Sequence, residues 1–248
     1  MAKIFAAIDV GTTGGRTILF DENGKELARD YQEWESIYPT PVMVEQDANS
    51  WWNAIKGTID GSIQKGKINA EDIVSLSITN QRETIVPVDA QGEPLHNALV
   101  WQDRRTTKEC EFISEKIGIE KIYTTTGLTI DPYFSSSKIL WFKNNKPDIY
   151  KKTHKFLLVA DFILNKLTGK YITDYSNASR TMLFDINHLK WSDEIASALE
   201  LDLDKMPEAL PSGEAIGNVE SSECALTSKT IVATGAGDQQ CSIRGRSC

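Results

Sequence analysis

The chain has 248 residues, of which 40% are hydrophobic and 25% charged, with a formal net charge of -8 and an isoelectric point near 5.0. That length buries a large core as one big α/β domain or two small ones, and the composition excludes disordered and fibrous architectures. The acidic balance argues against a nucleic-acid partner, which would need clustered Lys and Arg to displace counterions, so small-molecule or protein partners fit better.

In chain order, Lys3 to Asp9 reads as a buried strand and Thr17 to Phe20 as a second, joined by a Gly-rich turn over residues 10–15. Asp21-Glu22-Asn23-Gly24 is a hairpin turn into a third strand at Glu26 to Arg29, because Asn-Gly readily takes positive φ angles. Asp47 to Ser50 supplies cap residues for a helix whose apolar positions Trp51, Trp52, Ile55, Ile59 and Ile63 recur at helical spacing. A strand follows at Ile73 to Ile78. From about Lys108 the pattern turns helical through Ile119, and again at Ile139 to Phe142. Further helices are expected over Leu157 to Leu167, stopping at Thr168-Gly169, and over Trp191 to Leu199. Pro207 and Pro211 punctuate the run to a last strand, Thr230 to Thr234. The order strand, strand, strand, helix, strand is that of the ribonuclease-H-like unit of actin-like ATPases, an α/β fold with a mixed sheet flanked by helices.

No run approaches the roughly 18 consecutive apolar residues of a membrane helix. Met1 to Phe5 enter a strand pattern with no signal-peptide stretch, so a cytoplasmic location without a membrane partner is expected. Cys110, Cys224, Cys241 and Cys248 lack CxxC spacing and a nearby His, which supports neither a zinc site nor a disulfide framework. They are expected to be reduced thiols, Cys248 in an exposed tail. The oligomeric state is left open, a homo-oligomer included.

Three segments carry chemistry. Asp9-Val10-Gly11-Thr12-Thr13-Gly14-Gly15-Arg16 lies between two strands, where small residues let backbone N–H groups approach phosphate oxygens and Asp9 could orient Mg²⁺ through water. A tight hairpin using glycine for geometry alone explains the loop equally well. Thr79 to Thr84 follows a buried strand, and its adjacent Arg82 and Glu83 offer donors and acceptors suited to vicinal hydroxyls; taken alone, the pair is more often a chance surface feature. Val100 to Arg105 puts Trp101 and polar groups at another strand end, or else a packed Trp beside a solvated charge run. Thr126-Gly127-Leu128, Asp131-Pro132-Tyr133-Phe134 and Asn177 to Met182 are polar loops, individually weak.

Taken in order with Val44 to Asp47, Asn97 to Thr106, Asp174 to Phe184 and Gly237-Asp238-Gln239-Gln240, these segments give a chain that resembles the amino-terminal half of the glycerol kinases, within the FGGY family of carbohydrate kinases. The resemblance implies a polyol held by Arg82, Glu83, Tyr133, Asp238 and Gln239 with Trp101 as an apolar wall. It implies ATP phosphates at Thr12, Thr13, Gly14 and Arg16, the metal near Asp9, and Asp238 as catalytic base. Two departures stand out: Gly14-Gly15 replaces two usual serines, and Val10 a usual glutamine. Only eight residues follow Gln240. The expectation is therefore that residues 1–248 form the polyol-binding, phosphate-loop domain, that the carboxyl-terminal adenine-binding domain is a missing partner, and that the chain alone turns over negligibly. The implied reaction is transfer of the γ-phosphoryl of MgATP to a primary hydroxyl of glycerol or a similar polyol. A kinase for another sugar such as xylulose and a lone polyol-binding domain without turnover are the alternatives. A plain actin-like or Hsp70-like ATPase has no use for Arg82-Glu83, Trp101, Tyr133 and Asp238-Gln239 together.

Overall fold

The computed structural model describes residues 3–245, so Cys248 lies outside the described residues. Strand β1 (Ile4–Val10) turns through residues 11–13 into β2 (Gly14–Phe20), which pairs antiparallel with it and with β3 (Glu26–Glu33). The turn before β3 differs from the sequence expectation in that Gly24 alone of the Asn-Gly pair takes a positive φ, 78°, while the Asp21 carboxylate accepts the Asn23 and Lys25 N–H groups. After the short β4 (Glu45–Gln46), helix α1 (Ala48–Gly66) begins where Asp47 caps the Asn49 N–H at 2.9 Å. Its apolar stripe, Trp51, Trp52, Ile55 and Ile59, lies buried against the sheet, as its spacing requires.

Strand β5 (Ile73–Asn80) runs parallel to β1 and is followed by β6 (Ile85–Val88) and β7 (Ala98–Leu99). Helices α2 (Thr107–Lys116), α3 (Ile119–Thr126), α4 (Ser135–Asn145) and α5 (Pro147–Lys152) lead to β8 (Lys155–Leu158). Leu157 and Leu158 belong to that strand, so α6 covers Val159–Thr168 and starts two residues later than periodicity suggests. The reason is tertiary: β6 needs a partner, and residues 155–158 pair with it antiparallel. Next come β9 (Ile172–Asp174), α7 (Tyr175–Ala178), β10 (Phe184–Asp185) and β11 (Lys190–Trp191). Trp191 sits in that ribbon, and α8 (Asp193–Leu199) begins only after Ser192, whose hydroxyl accepts the Ile195 N–H. The chain closes with β12 (Glu208–Leu210), β13 (Ala215–Asn218), β14 (Ile231–Gly237) and α9 (Asp238–Gly245).

The result is a mixed α/β fold. A six-stranded sheet, ordered β13-β14-β5-β1-β2-β3, packs α1 and α6 against one core, while a four-stranded sheet, β4-β7-β6-β8, backs a second core built on α4, Phe142 and Phe156. Parallel β1, β5 and β14 end level: Val10 pairs with Asn80, and Asn80 with Gly237. Ligands of α/β sheets bind outside such carboxyl ends.

That alignment demands a close approach in β14. The strand is irregular between Ala233 and Ala236, and a Cβ on Gly235 would drive into the Ile78 carbonyl of β5. Gly235→Ala is therefore expected to destabilise the fold by about 2 kcal/mol or more, as over-packing does, lowering Tm by roughly 4–8 °C for a domain of this size. Thermal melts check this; an unchanged Tm would mean β14 shifts without cost.

Candidate functional site

Beyond the three level strand ends, β1 delivers the loop 11–13, β5 delivers Gln81-Arg82-Glu83, and β14 delivers Asp238 and Gln239. They meet in a cavity of about 140 Å³ lined by Thr12, Gln81, Arg82, Glu83, Trp101, Tyr133, Asp238 and Gln239. All six residues expected to hold a polyol line this one space. A larger hollow of about 470 Å³ opens between Gln91, Asn165 and Glu220, lined by the end of α6 and surface loops; it holds none of the residues expected to bind polyol, so the strand-end cavity is the candidate site.

The bend after β5 is forced. Thr84 N–H donates to the Arg82 carbonyl at 2.8 Å, closing a γ-turn around Glu83, which takes a φ of 64°. Turns of this hand are rare and strained for a residue with a side chain. Packing holds this one in place: Gln81 N–H donates to the Val10 carbonyl and the Ser135 hydroxyl donates to the Glu83 carbonyl. The turn sends two adjacent buried side chains, Arg82 and Glu83, into the cavity.

Arg82 sits between acidic and amide groups: its Nε is 3.6 Å from Asp238 Oδ1, its guanidinium 4.0 Å from Glu83 Oε1, and Nη1 donates to Gln240 Oε1 at 3.4 Å. Gly237 makes room for it, since a Cβ there would collide with the Arg82 side-chain methylenes. Glu83 is gripped harder by Arg180, whose Nε donates at 2.7 Å while its guanidinium lies over the Phe134 ring. Burial pushes the Glu83 carboxyl above its ordinary value, and hydrogen bonds from Arg180 and Tyr133 with the charge of Arg82 pull it back.

The far wall is aromatic. The Trp101 and Tyr133 rings meet edge-on, centroids 5.6 Å apart. Trp101 is held from behind, its backbone N–H donating to the Thr84 hydroxyl and its indole N–H to the Thr12 hydroxyl at 3.2 Å. Asp103 and Arg105, polar neighbours in the same stretch, turn away: Arg105 is buried between Asp103 and Glu45 at 2.8 Å from each, and Asp103 also accepts the Val44 N–H. That ion cluster fixes the loop carrying Trp101.

The residues expected to hold phosphates are less uniform. Thr12 faces the cavity, Thr13 is exposed at the hairpin tip, and Arg16 is exposed on β2 with Nη2 2.9 Å from Asp9 Oδ2. Gly14 lies inside β2 rather than in the open loop, with the Tyr31 hydroxyl and the Gln32 carbonyl filling the space a side chain would take. The Asp9 carboxyl is raised by burial, against the pull of Arg16. Among the described residues no three His, Cys, Asp or Glu side chains gather as a metal cage. Asp9 fits the way Mg²⁺ is commonly held, by one or two carboxylates with waters and phosphates completing the octahedron.

Sequence reasoning passed over Gln81, Arg180 and Lys138. Gln81 and Arg180 stand inside runs noted as polar, with nothing in the spacing to show that they turn inward. The thiols of Cys110, Cys224 and Cys241 are unpaired, and burial raises the first to about 11. Among the described residues no helix is long and apolar enough to cross a membrane.

Residues 4–245 match the model of the amino-terminal domain of the FGGY family of carbohydrate kinases. The chain is 42% identical over its whole length to a glycerol kinase of Thermoanaerobacter sp. (strain X514), covering 51% of that protein, and 37% identical to a glycerol kinase of Haloferax volcanii, also covering 51%. Its fold superposes on Plasmodium falciparum glycerol kinase with ADP at a TM-score of 0.93 and 28% identity, covering 99% of this chain and 50% of that one. It superposes on a ligand-bound xylulose kinase of Lactobacillus acidophilus at 0.91 and 25% identity, covering 98% and 50%. The chain thus spans about half the length of the curated relatives it matches, and with a family model covering nearly all of it, the chain belongs to the FGGY family of carbohydrate kinases.

Proposed function

We propose that residues 1–248 form the polyol-binding, phosphate-loop half of a kinase that phosphorylates a primary hydroxyl of glycerol or a similar short polyol. The carrying observation is the 140 Å³ cavity, in which one cation, two carboxylates, two amides and two aromatic rings converge. Glycerol kinases among the relatives, and the ADP bound to the Plasmodium neighbour, support the glycerol and ATP assignments.

In this reading Arg82 donates and Glu83 accepts from neighbouring hydroxyls, while Trp101 and Tyr133 cover the carbon chain. Asp238 stands at the mouth, half exposed, lining both this cavity and a hollow of about 340 Å³ beside Gln239, Ser242 and Ile243. It accepts the proton as the hydroxyl oxygen bonds to phosphorus and the bond to the leaving oxygen breaks. Phosphoryl transfer depends chiefly on alignment and charge neutralisation. ATP supplies the γ-phosphoryl, Mg²⁺ its neutralising charge; Thr12, Thr13, Arg16 and the backbone at Gly14 would hold the phosphates, with Asp9 on the metal side. Arg16 would have to release Asp9 for this.

A second reading, a kinase for a five-carbon sugar, is favoured by the xylulose kinase neighbour. Cavity size favours the first: a site pairing each hydroxyl with buried groups penalises a ligand that leaves one unpaired by about 1–3 kcal/mol. Glycerol is expected to bind the chain at least about tenfold tighter than xylulose or gluconate. Titration calorimetry with the three ligands tests it; preference for the larger sugars overturns glycerol and leaves the family intact.

A further inference from the structure

Lys138, in the first turn of α4, is wholly buried. A buried ammonium is costly unless paired, yet its hydrogen bonds are to main-chain carbonyls: Nζ donates to Pro132 at 2.6 Å and to Tyr133 at 2.9 Å. Among the described residues no carboxylate lies within ion-pair distance of it. The titratable groups facing it are Asp103, Glu83, Asp131 and the Cys110 thiol. Burial drives the lysine down to about 8. A methionine would fill the space without that cost but would leave the two carbonyls without this donor, so stability alone gives little reason for the ammonium.

The carbonyls it holds belong to the loop that carries Tyr133. On the solvent side of the same loop, Asp131 accepts the Tyr133 N–H at 2.8 Å and two hydrogen bonds from Arg104, at 2.6 and 3.2 Å. The loop is clamped from both faces, but the outer clamp is exposed and worth little. The inner one is dry and charge-assisted, which makes it the stronger.

We propose that Lys138 is a positioning residue of the cavity: by tying the Pro132 and Tyr133 carbonyls it fixes the Tyr133 ring against Trp101 and its hydroxyl beside Glu83. The effect on polyol affinity rests on the function proposed above; the effect on the loop does not.

Lys138→Met is expected to change Tm little, because removing a buried charge that has no counterion offsets the two carbonyls left without this donor. Glycerol Kd should rise about tenfold, and amide hydrogen exchange should speed up over residues 131–134 with the rest of the chain unaffected. A merely structural lysine predicts the opposite pattern, a lower Tm with affinity and local exchange intact. Because Lys138 acts through Tyr133, the two substitutions must be non-additive: in a Tyr133→Ala background, Lys138→Met should cost nothing further in affinity. Full additivity overturns the proposal. If Lys138→Met does not fold, Lys138→Gln, a neutral donor, decides instead: intermediate affinity and exchange support positioning, wild-type values of both overturn it. Should the unsubstituted chain bind no polyol, the function reading fails, and exchange over 131–134 still decides what the lysine does.

Discussion

Replacing Asp238 with asparagine is expected to lower kcat about 100-fold or more while KM for the polyol changes far less, measured in a polypeptide that also carries the second half found in the relatives. Asparagine keeps the shape of the carboxylate and much of its hydrogen bonding, so a polyol would still be seated beside Arg82. What it loses is the capacity to take the hydroxyl proton as the new bond to phosphorus forms. The placement fits that task, with Asp238 the first residue of α9 at the end of β14, its carboxylate half exposed and 3.6 Å from Arg82. Arg82 would hold it oriented. An ordinary role at a helix start predicts something else, lost stability with little kinetic effect. Near-normal kcat would remove Asp238 as the base, and a fall in Tm without a kinetic defect would assign it to the helix.

Much of this fold was legible in the sequence wherever local signals agreed. Asp47 ahead of a 3.6-residue apolar stripe fixed α1, and the buried runs at Ile4 and Ile73 marked two strands, which the structure pairs in parallel. The misplacements share one cause. Leu157, Leu158 and Trp191 are apolar residues beside helices, and periodicity extends the helices over them. Only the need of β6 for a partner and of β10 for a ribbon claims them for strands, and those pairings are not encoded within any short window.

The candidate site divides the same way. The residues that meet in the cavity come from segments as far apart as Thr12 and Asp238, and no spacing rule joins them; the resemblance supplied that, by naming which polar loops belong together. It could not supply what supports them. Nothing in Asn177 to Met182 signals that Arg180 grips Glu83, and nothing in the run Ser135-Ser136-Ser137-Lys138 signals that Lys138 is buried. Gly14 errs in the other direction: a glycine pair at a turn suggests an open loop, yet cross-strand neighbours claim the pair for β2.

Arg82→Ala should weaken glycerol binding to the chain by at least about 100-fold, the largest loss expected of any substitution in the cavity wall. Its guanidinium approaches Asp238, Glu83 and Gln240 together, a fork that the point charge of a lysine cannot reproduce. Removing it costs the ligand its donors and strips one positive neighbour from a buried carboxylate that burial already pushes upward. The pH dependence follows in sign. Glu83 has a folded-state value above its unfolded one, so its ionised form opposes folding: stability falls as pH rises through that interval and recovers as pH falls and the carboxyl protonates. Without Arg82 the folded value rises further and the interval widens. Melts of Arg82→Ala should therefore lie further below wild type at pH 7.5 than in acid, the gap narrowing as pH falls. Calorimetry at pH 7.5 reads the affinity. Glycerol binding within a few-fold of wild type would exclude Arg82 as a ligand contact, and a stability gap that does not narrow in acid would mean that Arg180 alone neutralises Glu83.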